Sequence, residues 1–485
     1  MDARSLKRDT VIALAWKFLE RGAYQVVSLA VQVILARMLS PNEFGIMAIL
    51  AVFINLSNAV VQTGLSNAIV QAKKCTEGDY SSVLLLSICI SAGLYALIFA
   101  VCPFIADFYG NAILSKYLRI LALVLFINSY NAVQNAHALR EMRTKSIFKS
   151  TVIGALSSGF IAIVLAVCNF GVWALIAQTM MMQLVSCIAL AQIDGWAPCL
   201  KLQLRGSRPF WAYGWKITAS GLLYNLYQNI FDLIIGRSFS TSELGLFSQG
   251  RKIPYVVANS FDGSIQTVML SALSKIAGDR NGFKSALRRS IKTAVLITSP
   301  IMFAMAALSP VMVPVVFGER WVDAIPYFSI FAIGYSLVSV SSSNQQALSA
   351  LGRSDILLVL ELVKTIFGLS ILFTVLHFIH STHAVAVGAA AFLLISVLIN
   401  SYPNSKMIGY SIKDQLKDIL PTYCLAFACA VPVWIVSCSI APSVLGLLIL
   451  AGLYVLMYAS SCLLFKLESA LYVFSLLKKI IKVRR

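Results

Sequence analysis

Apolar positions along this chain come in runs of about twenty residues, the length a helix needs to cross a bilayer, separated by short polar stretches. The runs predict about fourteen spanning helices: 10–36, 43–70, 80–104, 116–139, 148–168, 171–192, 211–236, 243–272, 288–314, 325–350, 355–378, 384–402, 415–437 and 442–465. The connections are short, and no soluble domain of any size is left over. The fold class expected is therefore an all-α polytopic membrane protein.

A repeat organises these runs. Ile34–Gly45 reads ILARMLSPNEFG, and Ile234–Gly245 reads IIGRSFSTSELG, pairing Arg37 with Arg237, Ser40 with Ser240, Glu43 with Glu243 and Gly45 with Gly245. Each copy ends one apolar run in a cation, turns through small polar residues, and opens the next run with Glu and Gly, as suits helix termini. Trp16-Lys17 and Trp215-Lys216, Gln62-Thr63 and Gln266-Thr267, and Arg143 and Arg353 continue the match in the same order. The period is too long for a solenoid and reads as a duplicated half-protein. Six spans per half give two parallel lobes, at 1–200 and 201–408, followed by two extra helices at 409–466 and a basic tail at 467–485.

Composition agrees. The 485 residues are 59% hydrophobic and 12% charged, with mean hydropathy +0.82. A net charge of +19 would suit nucleic acid, but its placement points elsewhere. The basic residues crowd alternate loops and both termini, while the opposite side holds only Arg37, Lys116, Arg119, Arg237 and Arg320. The positive-inside bias puts both termini in the cytoplasm, and the amphipathic tail LLKKIIKVRR suits anionic lipid headgroups or a solvated end. The ten cysteines form no CxxC pair, and the first run carries Lys17, Glu20 and Arg21, so it reads as a retained span and not a signal peptide.

Charges inside spans are costly unless they face water or a partner, so they mark candidate sites. Lys17, Arg21, Tyr24, Ser28 and Gln32 share one face of the first span; Arg251, Tyr255, Asn259, Asp262 and Gln266 share one face of the eighth, where Pro254 is expected to bend the helix. The seventh span carries Lys216, Asn225, Gln228, Asn229 and Asp232, and the eleventh places Glu361 and Lys364 a turn apart. Lys17, Arg21, Lys216, Arg251, Lys252 and Lys364 are the candidate cations for an anionic head group such as a diphosphate. Tyr24, Asn55, Asn58, Gln62, Asn225, Asn229, Tyr255, Asn259, Gln266 and Gln345 could hydrogen-bond sugar, and helix–helix contact is the plainer role for any one of them. Glu20, Asp232 and Glu361 are candidates to carry H+ or Na+, or else neutralise neighbouring cations. Asn128, Asn131 and Asn135 in the fourth span and Ser341–Gln346 in the tenth add further polar faces. His377, His380 and His383 sit where the eleventh span ends, the first two on one helix, and read as interfacial residues; no metal is expected. No nucleotide loop, nucleophile elbow or HExxH is present, which excludes ATP hydrolysis by the chain itself.

At ILARMLSPNEFGIMA and VVQTGLSNAIVQ (Val60–Gln71) the chain resembles the polysaccharide-transporter family of the MOP flippase superfamily, the Wzx-type flippases, in its colanic-acid, teichuronic-acid and lipopolysaccharide exporter branch. ALREMRTKSIFK (Ala138–Lys149) and ALSALGRSD (Ala347–Asp355) resemble the family's loops after the fourth and tenth helices. The resemblance implies two lobes around a cavity open alternately to each side. It implies an undecaprenyl-diphosphate-linked oligosaccharide as substrate, membrane lipids and polysaccharide polymerase or export machinery as partners, and a bacterial inner-membrane location. Arg37, Glu43, Arg237 and Glu243 are then expected to form paired outer-gate turns. The alternatives are a multidrug or cation antiporter of the same superfamily, which calls for a dominant carboxylate, and a membrane polymerase or ligase, which calls for a larger outer loop.

Overall fold

The computed structural model describes residues 3–71, 75–196, 229–276 and 278–465, with positions 222, 225 and 226 besides. Every regular element among them is a helix, as an apolar solvent requires of a chain that must satisfy its backbone internally. In order these are α1 (Ala3–Met38), α2 (Pro41–Gln71), α3 (Glu77–Phe108), α4 (Ile113–Leu121), α5 (Val124–Arg140), α6 (Thr144–Val167) and α7 (Val172–Asp194). A helical piece over 229–238 is α8. Then follow α9 (Thr241–Ser274), α10 (Arg280–Phe317), a 3-10 turn (Glu319–Ala324), α11 (Ile325–Tyr335), α12 (Val338–Ala350), α13 (Ser354–Phe378), α14 (Thr382–Met407), α15 (Ile412–Ser439) and α16 (Val444–Leu464).

Among the described residues 12 helical stretches are long and apolar enough to cross a membrane. The chain is an all-helical polytopic membrane protein. Of the fourteen runs read from sequence, the two not counted are the seventh, whose N-terminal part lies outside the described residues, and the eighth. The eighth is the helix α9, 34 residues long but with mean hydropathy lowered by its many polar residues. The fourth and tenth runs each break once, at Ala122–Leu123 and at Ser336–Leu337, so both halves interrupt the same helix of their repeat.

By contacts the chain divides into two compact units, Met1–Gly245 and Leu246–Arg485. Both copies of the repeated motif fall within the first unit, which runs to Gly245. In the first unit small residues let helices approach. A Cβ on Gly159 of α6 would lie 2.4 Å from Val31 of α1, and one on Gly154 would lie 2.1 Å from the Ser186 hydroxyl of α7. Thr76 and Asp79 cap α3 reciprocally, with Thr76 N–H donating to Asp79 at 2.8 Å.

In the second unit α10 is the spine. Phe283, Leu287, Ile291 and Val295 follow one another at a turn's spacing and bury against Met269, Leu273, Val340, Ala347 and Ile419. Further along, Phe303, Ala307 and Val311 do the same against α15 and α16. A polar clamp closes one end. Asp418 of α15 accepts from Arg288 Nε at 2.5 Å and Nη2 at 2.6 Å, lies 3.2 Å from Lys292 Nζ, and accepts from the Tyr410 hydroxyl at 2.9 Å. Burial pushes the Tyr410 hydroxyl well above its ordinary pKa, so it is a donor throughout the physiological range.

Candidate functional site

The first unit holds a polar pocket of about 290 Å³ lined by Lys17, Glu20, Asn131, Asn135, Leu139, Ser150, Thr151, Met182, Gln183 and Ser186. Helical spacing puts Lys17 and Glu20 on adjacent positions of α1, and Lys17 Nζ donates to Glu20 at 2.7 Å. The opposite wall is an amide relay. Asn135 Nδ2 donates to Asn131 Oδ1 at 2.8 Å, and Asn131 Nδ2 donates to Gln183 Oε1 at 3.0 Å. Beside the pocket, Lys145 lies 5.6 Å from the centre of the Trp16 ring, which packs on Phe148. Lys17 and Glu20 are thus brought together, while Arg21 and Tyr24 further along α1 are exposed and do not line this pocket. Asn58 accepts from Asn128 Nδ2 at 2.7 Å, tying α2 to α5; Asn55 is exposed and Gln62 half-buried. Sequence reasoning passed over Ser150, Thr151, Gln183 and Ser186, since single small polar residues in apolar runs carry no signal until neighbouring helices face them.

In the second unit the polar side chains form a seam between helices. Ser342 and Gln346 of α12 face α9: Ser342 donates to Asp262, Gln266 also donates to Asp262, and Gln346 Nε2 donates to Gln266 Oε1 at 3.0 Å. On the other side Gln345 Nε2 donates to Glu361 of α13 at 2.8 Å, and Lys364 Nζ donates to the same carboxylate at 2.5 Å. Ser341 accepts from Asn400 of α14 at 2.6 Å, and Asn344 Nδ2 donates to Gln415 of α15 at 3.0 Å. The run Ser341–Gln346 therefore joins four neighbouring helices. Asp262 is 3% exposed, and no cation among the described residues pairs with it. Arg251 lies over the Phe247 ring at 5.5 Å, Lys252 and Asn259 are exposed, and Tyr255 packs its ring 5.6 Å from Tyr335.

The remaining candidates are dispersed. Asp232 is buried in α8, where Asn229 Nδ2 donates to the Asn225 carbonyl at 2.7 Å. Lys216, Gln228 and the basic tail lie outside the described residues. The three histidines separate. α13 ends at Phe378, so His377 is helical, His380 sits in the turn with φ 46, and His383 stacks on Tyr327 at 4.6 Å. The pairing of His377 and His380 on one helix is thereby corrected.

The repeated motif forms two like turns. Glu43 accepts from Ser40 N–H at 2.6 Å and from its hydroxyl at 2.9 Å; Glu243 accepts from Ser240 N–H at 3.4 Å and its own N–H donates to the Ser240 hydroxyl at 3.1 Å. Both glutamates thus cap the helix they open. Arg37 is exposed, and Arg237 lies over the Phe108 ring at 5.0 Å. The glycines have the closest approach. A Cβ on Gly45 would fall 1.7 Å from the Thr241 carbonyl oxygen, and one on Gly245 would fall 1.9 Å from the Pro41 carbonyl oxygen. Each built Cβ also lies 3.1 Å from the other glycine's nitrogen, so the two copies cross reciprocally. The Thr241 hydroxyl and the Asn42 amide oxygen hydrogen-bond across the crossing.

The polysaccharide biosynthesis protein family matches residues 34–326, beginning at the first isoleucine of that motif. The chain belongs to this family. It is a family of Wzx-type transporters, not of enzymes. Among its relatives, the chain is 22% identical to the teichuronic acid biosynthesis protein TuaB of Bacillus subtilis, over 85% of both chains. It is 22% identical to the lipopolysaccharide biosynthesis protein WzxC of Escherichia coli, over 89% of this chain and 88% of that one. In fold it is similar to the lipid II flippase MurJ in an inward closed conformation. The TM-score is 0.75 at 16% identity, covering 94% of this chain and 99% of the other. It is also similar to an inward-facing multidrug resistance transporter of the MATE family, with TM-score 0.65 at 17% identity over 80% and 94% of the two chains. This member of the polysaccharide biosynthesis family therefore has the MOP-superfamily fold.

Proposed function

We propose that the chain is a flippase that carries a polyprenyl-diphosphate-linked oligosaccharide across the bacterial cytoplasmic membrane by alternating access, for surface polysaccharide synthesis. Both termini are cytoplasmic in this reading, and the helices form two parallel six-helix lobes with α15 and α16 appended. The observation that carries it is the pocket in which Lys17 meets a wall of amides and hydroxyls. A diphosphate competes with Glu20 for Lys17 by charge-assisted hydrogen bonding, and Asn131, Asn135, Gln183 and Ser186 supply donors and acceptors to sugar hydroxyls. The pocket is sized for a head group and not for a whole oligosaccharide. The names of TuaB and WzxC, which place them in teichuronic acid and lipopolysaccharide synthesis, support the same substrate class.

Glu20 and Glu361 each have a lysine one turn away and serve as its counter-charge. Asp262, buried and served among the described residues by a hydroxyl and an amide, is the better placed carboxylate for coupling to H+ or Na+. The Gly45–Gly245 crossing is the point at which the two motif copies part and rejoin during the cycle. Deleting the gene tests the reading. Surface polysaccharide should be lost while its lipid-linked precursor accumulates at full length; a precursor pool that stays normal, or glycan altered only in chain length, would sink it.

A further inference from the structure

The first unit has a second concavity, apolar where the Lys17 pocket is polar. α3 presents Val101, Phe104, Ile105 and Phe108 on one face, and α8 presents Leu233, Ile234 and Arg237 across from them, enclosing a groove of about 420 Å³ with Phe53 at its side. The walls are stapled. The Tyr109 hydroxyl donates to the Leu233 carbonyl at 3.2 Å, and the absence of a side chain at Gly236 lets the Tyr109 ring close to 3.2 Å of where a Cβ would stand. Phe104 and Phe108 are 73% and 54% exposed, far more than soluble cores allow, so the groove opens toward the hydrocarbon. At its end stands Arg237, the one cation among the described lining residues. Arg237 lies over the Phe108 ring, and no carboxylate among the described residues pairs with it.

We infer that this groove is a binding site for an anionic phospholipid, with one acyl chain between α3 and α8 and the phosphodiester on Arg237. Three observations select that occupant. The lining is hydrocarbon-like, which suits a chain and not a peptide or a sugar. The one guanidinium matches the single charge of a phosphodiester; the diphosphate of a polyprenyl carrier calls for more than one. Arg237 is also one of only five basic residues that the sequence places away from the crowded basic side, a position that the positive-inside pattern leaves without another use. The site is distinct from the Lys17 pocket, shares no lining residue with it, and does not depend on what the chain transports.

Native mass spectrometry of the purified full-length protein, titrated with phosphatidylglycerol or phosphatidylcholine of matched chains, tests the assignment. One phosphatidylglycerol should bind about tenfold more tightly than phosphatidylcholine, the scale of one charge-assisted hydrogen-bonded pair. Arg237→Gln should erase that preference, Arg237→Lys should keep part of it, and Val101→Trp, which fills the groove and keeps the cation, should weaken both lipids. Thermal melting of each variant verifies folding; if Arg237→Gln fails to fold, the Lys and Trp variants carry the comparison. A preference unchanged in Arg237→Gln, or affinities for both lipids unchanged in Val101→Trp, overturns the site. Displacement of phosphatidylglycerol by an equimolar polyprenyl phosphate overturns the phospholipid as its occupant.

Discussion

Lys17 and Glu20 show how a costly charge is held inside a span. Neither is isolated: the pair neutralises itself, and the amides of α5 and α7 face it across the pocket. Replacing Lys17 and Arg21 together by Ala should abolish surface polysaccharide while the protein still inserts at normal levels. Normal polysaccharide in that variant would remove Lys17 from the substrate path. Asp418 shows the structural use of a buried carboxylate. It takes hydrogen bonds from Arg288 and Tyr410 and lies beside Lys292. Asp418→Ala strands these donors, and with Arg288 half exposed the expected loss is about 2 kcal/mol, visible as a lower melting temperature in detergent. An unchanged melting temperature would show that the clamp carries no net stability. These residue-level contacts were the least legible in sequence. The periodicity put Asn131 and Asn135 on one face, but which helix faced them, and hence the part played by Gln183 and Ser186, depends on packing.

At the scale of elements, the repeat is written into the turns. The helices α5 and α12 both end by turning back on themselves, with Arg143 N–H donating to the Ala138 carbonyl at 2.7 Å and Arg353 N–H to the Leu348 carbonyl at 3.0 Å. The residue before each arginine is left-handed: Gly352 at φ 71 in one copy, Met142 at φ 55 in the other. A side chain at such a φ costs about 1 kcal/mol or more. Met142→Gly is therefore expected to raise the melting temperature and Gly352→Ala to lower it; the opposite order would refute the shared turn geometry. The Gly45–Gly245 crossing is tighter still, because the atoms a Cβ would meet are backbone carbonyls that cannot rotate away. Gly45→Ala or Gly245→Ala should force the two copies apart at a cost of about 1–3 kcal/mol. If the crossing closes and opens in each cycle, either variant slows transport more than it lowers expression. Helix existence was almost wholly legible in sequence, since runs of twenty apolar residues have one way to satisfy their backbone. The breaks at Ala122–Leu123 and Ser336–Leu337 were not, because no proline or glycine marks either break position.

At the scale of the molecule, the two units differ in their polar interiors. The helix pair α2 and α5 is bridged by neutral amides, Asn58 to Asn128, whereas the corresponding pair α9 and α12 is bridged through the carboxylate of Asp262. Under the proposed function, that asymmetry fits head-group recognition in the first unit and ion coupling in the second. Asp262→Asn should preserve substrate binding while removing any dependence of transport on the proton or Na+ gradient; retained gradient dependence would move coupling elsewhere. The proposed topology accounts for a pI near 9.5 by placing the surplus cations on the cytoplasmic side. The central claim is translocation of a lipid-linked oligosaccharide, and proteoliposomes measure it most directly. The purified protein is reconstituted with the lipid-linked oligosaccharide, and the fraction open to an external glycosidase is followed in time. The account predicts that wild type exposes the inner-leaflet pool to near completion and that Lys17→Ala with Arg21→Ala leaves about half protected, as in protein-free vesicles. Equal protection with and without the wild-type protein would contradict it.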